Sequence, residues 1–168
     1  KDIDDVEADC DGLVADGRFV QGRGASAWPD GTLSSRYRFS HAMHREVLLA
    51  RLPSGRRSRL SRAIGDRIRT AYEGREEEVA AELAMHFEHG LDLPAAAHFR
   101  ALAGEASAKR FAQHEAVEHF RRALELLSES DFAASDLLEI RIRLASCAPL
   151  ASVAGYAAEE LEENLNRL

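Results

Sequence analysis

Histidines are the side chains whose placement most invites a chemical reading. His41 and His44 stand three apart in SSRYRFSHAMHREVLLARLP, residues 34–53. There the apolar pattern changes from alternate residues, Tyr37 and Phe39, to Met43, Val47, Leu48 and Leu52. The first period is that of a half-buried strand, the second that of a helix stopped by Pro53. A histidine at such a junction sits beside free N-terminal amides and a positive helix end, where phosphate is favoured. It can equally do no more than hydrogen-bond the adjacent backbone. His86 and His89, with Glu82 one turn before His86, could form a zinc pair. However, the H-E-x-x-H pattern is missing and no third ligand follows at a fixed spacing, so no metal is expected. His114 and His119 fall on different sides of a helix and His98 stands alone; all three read as solvated positions.

Other chemistries find less support. There is no G-x-x-x-x-G-K-[ST] phosphate cradle, no dinucleotide fingerprint and no G-x-S-x-G turn. The chain is expected not to be an enzyme and to hold no cofactor itself. Its net charge of −7 is unevenly spread. Residues 1–35 carry −5, residues 36–75 carry +8 and residues 76–168 carry −10. The basic band Arg51, Arg56, Arg57, Arg59, Arg62, Arg67 and Arg69 could grip phosphates, or could dock on acidic neighbours of its own chain. Docking is the expectation. A winged helix reads DNA with the helix before its hairpin, and here that helix carries Asp4, Asp5, Glu7, Asp9, Asp11 and Asp16, which would repel phosphate.

The elements that must position these residues follow from the patterning. Ile3, Val6, Cys10, Leu13 and Val14 form a helical stripe ending at Gly17. Residues 18–21 then read as a short strand, GRGASAWPDG as a Gly-rich loop holding the only tryptophan, Trp28, and residues 36–40 as a second strand. After Pro53 everything reads as helix. Leu60, Ile64, Ile68 and Tyr72 make one stripe, stopped by Gly74; Val79, Leu83 and Phe87 make the next, stopped by Gly90. Pro94 opens a long helix through Phe99 and Ala106, followed across Gln113 by Ala116, Phe120, Ala123 and Leu127. Asp136 and Glu139 have capping-box spacing for a helix up to Pro149, and Ala157, Leu161, Leu165 and Leu168 form a last stripe. Ala116-x3-Phe120-x2-Ala123, with Gly104 twelve residues earlier, has the small, aromatic, small spacing of a tetratricopeptide hairpin. Ala95-x3-Phe99-x2-Leu102 repeats it only 21 residues upstream. The expected fold is therefore mainly α: the C-terminal portion of a winged helix over residues 1–53, and a tetratricopeptide-like superhelix over residues 54–168.

Composition sets the frame. With 168 residues, 45% hydrophobic and 30% charged, the chain can bury one core or two small ones. No apolar run approaches membrane-spanning length, so no membrane partner is expected. Two cysteines, Cys10 and Cys147, far apart and without a partner motif, suit a reducing cytoplasm and read as small core residues. Arginine makes up all but two of the 22 basic residues, a bias of GC-rich bacterial genomes. Lys1 in place of Met, and a last helix with no partner, suggest a piece of a longer protein.

The order of YRFSHAMHREVLLARL (37–52), an Arg-rich helix, ELAMHFEHGLD (82–92), AVEHFRRALELL (116–127) and GYAAEEL (155–161) resembles the middle of bacterial STAND-type ATPase regulators. These include LuxR-type transcriptional activators and predicted ATPases fused to nucleotide cyclase or kinase domains. The resemblance implies an upstream ATPase module holding ATP or ADP, a winged helix, and helical repeats that act as sensor and scaffold. It also implies that His41, in the F-S-H run at 39–41 that is similar to the family's M-H-D motif, reaches the nucleotide phosphate; Ala42 stands where that motif has its acid. The functional expectation is a cytoplasmic regulatory segment that couples a nucleotide switch to a protein or small-molecule effector. The alternative is a nucleic-acid-binding winged helix that uses the arginine band 51–69.

Overall fold

A computed structural model describes residues 3–129, 135–155 and 159–167. Among these the chain is mainly helical, with eight α-helices and one two-stranded antiparallel sheet. In order they are α1 Ile3–Asp16, β1 Val20–Ala27, β2 Leu33–Phe39, α2 Ala42–Arg51, α3 Ser54–Ala71, a 3-10 turn Glu76–Val79, α4 Ala80–His89, α5 Leu93–Lys109, α6 Gln113–Ser128, α7 Ser135–Ala154 and α8 Glu159–Asn166. No helix among the described residues is long and apolar enough to cross a membrane. The chain divides into two compact units, Lys1–Arg57 and Ser58–Leu168.

In the first unit α1 ends where its stripe ends, at Gly17, whose φ of +69° only glycine adopts readily. The hairpin corrects the strand limits read from the sequence. Residues 22–27, read as loop, belong to β1, and β2 begins at Leu33 rather than Arg36. Glycines in that stretch mark a bulge, not a loop: the ladder slips between Gly22 and Ala25, and Gly24 takes φ +73° inside it. The turn is closed by Trp28, whose amide bonds Thr32 O at 2.8 Å, and by Asp30, whose carboxylate accepts the Thr32 amide at 2.9 Å. Tyr37 faces α1 and its hydroxyl donates to the Asp11 carboxylate at 2.9 Å; Gly22, paired with Tyr37, lies against Val14. Alternation then puts Ser34, Arg36 and Arg38 on the opposite face, where Ser34 Oγ accepts the Trp28 indole N–H at 2.9 Å.

In the second unit α4, α5, α6 and α7 pack in sequence order. The pairing runs antiparallel. Phe87 stacks on Phe99 at 5.4 Å and Glu88 meets Arg100, while Glu77, ten residues before Phe87, meets Lys109, ten after Phe99. The core is Ala, Phe and Leu: Leu83, Ala84, Phe87, Ala96, Ala97, Phe99, Ala116, Phe120, Ala123 and Leu126 are all buried. α5 starts as its sequence suggests, with Asp92 accepting the Ala95 amide and Pro94 in the first turn.

One helix end differs from the sequence reading, and another is made in a way the sequence does not show. Gly90 stops α4 but not by taking a left-handed conformation, for its φ is −77°. It is small because a Cβ there would lie 3.1 Å from Arg62 of α3 and 3.0 Å from His86 O. The left-handed residue is Leu91, at φ +59°, as Phe111 is after α5, at φ +62°; both side chains are exposed. Pro149 does not end α7, which runs on to Ala154. Pro149 removes one helical hydrogen bond, but Leu150 beyond it is buried against Val117 and Leu161, and that packing carries the helix on. Both cysteines are free and half-buried rather than fully in the core. Asp136 and Glu139, read as a capping box, both lie inside α7, which begins at Ser135, and Glu139 pairs with Arg143; Ala157 and Leu168 of the last stripe are outside the described residues.

Candidate functional site

The β2–α2 junction holds the histidine singled out by the sequence. His41 is the N-cap of α2 with extended backbone (φ −136°, ψ 142°), and its side chain makes no cap hydrogen bond. Its exposed ring meets His44 edge to face at 5.4 Å, and His44 meets Phe19 in the same way at 5.0 Å. Two polar atoms at this junction, Ser40 Oγ and His44 Nδ1, are buried without a hydrogen-bond partner. The first turn of α2 carries no acid. Uncapped amides, a helix positive end and an exposed imidazole together form a place where an anion would be stabilised.

The arginine band is split in two. Arg51 lies in the last turn of α2, and Arg56, Arg57, Arg59 and Arg62 lie on α3. Arg62 pairs with Asp92 at 2.8 Å, and Arg69 pairs with Asp66 at 3.0 Å while lying over the Phe87 ring. Internal docking thus takes the C-terminal part of the band. Arg51, Arg56, Arg57 and Arg59 are exposed and have no partner among the described residues.

His86 is half-buried and His89 exposed. No group of three or more His, Cys, Asp or Glu side chains among the described residues is placed to hold a metal ion. His119 lies inside a charge cluster on α4, α5 and α6. There Glu88 accepts from Arg100 at 3.0 Å and from Arg122 at 2.7 Å, and Arg122 also reaches Glu125 at 2.8 Å. Burial pushes the Glu88 carboxyl up, but the hydrogen bonds from Arg122 and Arg100 outweigh it and hold the group below its usual range. Burial and the facing Arg100 both lower the His119 pKa and favour the neutral ring.

A second feature escaped the reading of the sequence. α6, α7 and α8 line a half-open cavity of about 560 Å³. Its wall holds Arg143, 7% exposed, and the buried Asn164 and Ser146. The signal was present in the sequence but faint: Asn164 comes three residues after Leu161, where the helical stripe calls for an apolar side chain. Comparison of the chain with known protein families, with curated proteins and with solved structures returns no significant match.

Proposed function

We propose that this chain is a non-enzymatic regulatory and scaffold segment of a larger signalling ATPase, a partial winged helix leading into tetratricopeptide-like repeats. The observation that carries this reading is the seat of Phe120 on Gly104, where a Cβ would stand 2.8 Å from the ring. Such a contact lets the backbones of α5 and α6 approach closely, the packing expected of a repeat hairpin. In the proposed mechanism, nucleotide in an upstream module favours one arrangement and an effector on the helices favours another, so each ligand biases the same two-state equilibrium. His41, with the uncapped amides of α2, would take a phosphate of that nucleotide. The test uses the full-length protein: His41→Ala should raise the ADP dissociation rate at least fivefold, read with a fluorescent ADP. An unchanged rate removes His41 from the switch.

One observation favours a second reading, binding of nucleic acid by the hairpin. Arg36 and Arg38 occupy the face turned away from acidic α1 and have no partner, and Ser34 on the same face holds the Trp28 indole. Guanidiniums next to an aromatic ring suit a phosphate backbone with an unstacked base. Binding of a labelled random-sequence DNA, tight at low salt and steeply lost as salt rises, would support it if Arg36→Ala with Arg38→Ala flattens the salt dependence. No binding at low salt rejects it.

A further inference from the structure

The cavity between α6, α7 and α8 has an apolar floor: Phe120 is 1% exposed, Leu150 4% and Leu127 5%, and Leu124 is half-buried beside them. Its volume, about 560 Å³, falls within the range of small-molecule sites. The polar wall is already arranged. Asn164 Nδ2 donates to Arg143 O at 2.8 Å and to Ser146 Oγ at 3.2 Å, and the Ser146 hydroxyl donates to Arg143 O at 2.9 Å. Those groups are satisfied. The Arg143 guanidinium is not. Its Nε and Nη2 donate to Glu139 Oε1 at 2.8 and 2.6 Å, and Nη1 donates to Asn164 Oδ1 at 3.3 Å. A guanidinium has five N–H groups, which leaves two unspent on a side chain more than nine-tenths buried. Unspent buried donors are costly unless an acceptor reaches them.

The lining also excludes ligand classes. Each of its carboxylates already holds a guanidinium: Glu139 that of Arg143, Glu160 that of Arg121, Glu163 that of Arg167 and Glu125 that of Arg122. A cationic ligand would find no free carboxylate. An anionic one would add an unmatched charge beside a guanidinium that Glu139 has neutralised. What remains is a neutral acceptor on an apolar body. We propose that this cavity binds a small, uncharged, apolar molecule through a carbonyl oxygen that accepts the two spare Arg143 N–H groups. This deepens the scaffold reading by naming the chemical class of its effector, and it rests on that reading.

The test is binding of Nile red, a neutral apolar dye with a ring carbonyl, to the full chain, followed by displacement. Octanamide should displace the dye at a concentration at least tenfold lower than octanoate or octylamine does. Leu124→Trp fills the cavity and should weaken dye binding at least tenfold; Ser128→Trp, on the exposed rim, should do the same without touching the floor. Arg143→Met keeps an apolar wall, so dye binding should persist while the preference for the amide disappears. Absence of dye binding, equal displacement by the charged competitors, or dye binding unchanged in both tryptophan variants overturns the assignment. A helical circular-dichroism signal in a chain with no amide preference removes only the ligand class; loss of that signal in the unsubstituted chain removes the scaffold reading itself.

Discussion

In the unit Lys1–Arg57, Arg23, Arg36, Arg38, Arg45, Arg51, Arg56 and Arg57 have no partner among the described residues, and only Arg18 holds a carboxylate, that of Asp16. In Ser58–Leu168, Arg62, Arg69, Arg75, Arg100, Arg121, Arg122, Arg141, Arg143 and Arg167 each hold one, while Arg110 donates to the Ser107 hydroxyl and Arg59 has no partner among the described residues. Burial follows the same division: Val20 is the one buried residue described in the first unit, while the second has a continuous Ala, Phe and Leu core. Met43, Val47 and Leu48 of α2 stay exposed. The helical unit therefore spends its apolar and charged groups on itself, and the hairpin unit keeps them at its surface. Local stability should differ accordingly, because opening free energy tracks buried contacts.

The largest expected difference is in packing. Phe120→Ala should cost about 3–5 kcal/mol of helical-unit stability, since the ring fills a buried site between helices. Gly104→Ala should cost about 1–3 kcal/mol, because the new methyl would stand 2.8 Å from the Phe120 ring, which would have to shift. Denaturant unfolding followed by helical circular dichroism checks both. No single truncation in the hairpin unit should approach the first figure. Native-state hydrogen exchange sharpens the contrast: amides of β1 and β2 should exchange well before those of α5 and α6. Uniform protection across the two units would erase the comparison.

The next effect is electrostatic and belongs to the helical unit. Glu88→Gln removes the acceptor shared by Arg100 and Arg122, and should cost about 1–2 kcal/mol, less than a fully buried pair because the cluster is partly solvated. Acid should act through the same cluster in two stages. The folded pKa of His119 lies below its unfolded value, so the unfolded chain takes the proton first and stability falls as pH drops below about 6.5. Glu115, 3.8 Å from the ring, opposes this but does not reverse it. The Glu88 pKa is also lowered, so its contribution is present above the unfolded carboxylate value and is lost as pH falls from about 4.3 through the folded value. His119→Gln should weaken the first stage, to which His98, also lowered by burial, contributes, and leave the second. A single acid transition in both proteins would mean that His119 is not held neutral.

Much of this contrast could be read from the sequence, and the unread part has identifiable causes. The stripes ending at Gly17 and Gly74, and the pairing of Gly104 with Phe120, were legible because helical period and residue size are local properties. The strand limits were not, since Gly22 and Gly24 look like loop residues until a partner strand reveals a bulge. Why Gly90 must be small was not legible, because a close approach by Arg62 leaves no mark near Gly90 in the sequence. The junction of His41 was visible as a change of period. The cavity was not: Phe120, Arg143 and Asn164 belong to three helices, and nothing in any one of them announces the others.

The smallest expected effect is the sharpest test of the comparison. Arg36→Ala and Arg38→Ala remove exposed guanidiniums that hold nothing, so each should change stability by less than about 0.5 kcal/mol. Arg122→Ala, by contrast, removes one of the two partners of Glu88 and the partner of Glu125, and should cost more than either. Moderate salt should separate the two groups further. Screening weakens the repulsion among unpaired arginines and also weakens exposed ion pairs. Raising ionic strength should thus leave the hairpin unit unchanged or slightly firmer, and narrow the gap between Arg122→Ala and the unsubstituted chain. A loss above 1 kcal/mol from Arg38→Ala would show that the hairpin spends its charge internally after all, and the surface reading of those arginines would go with it.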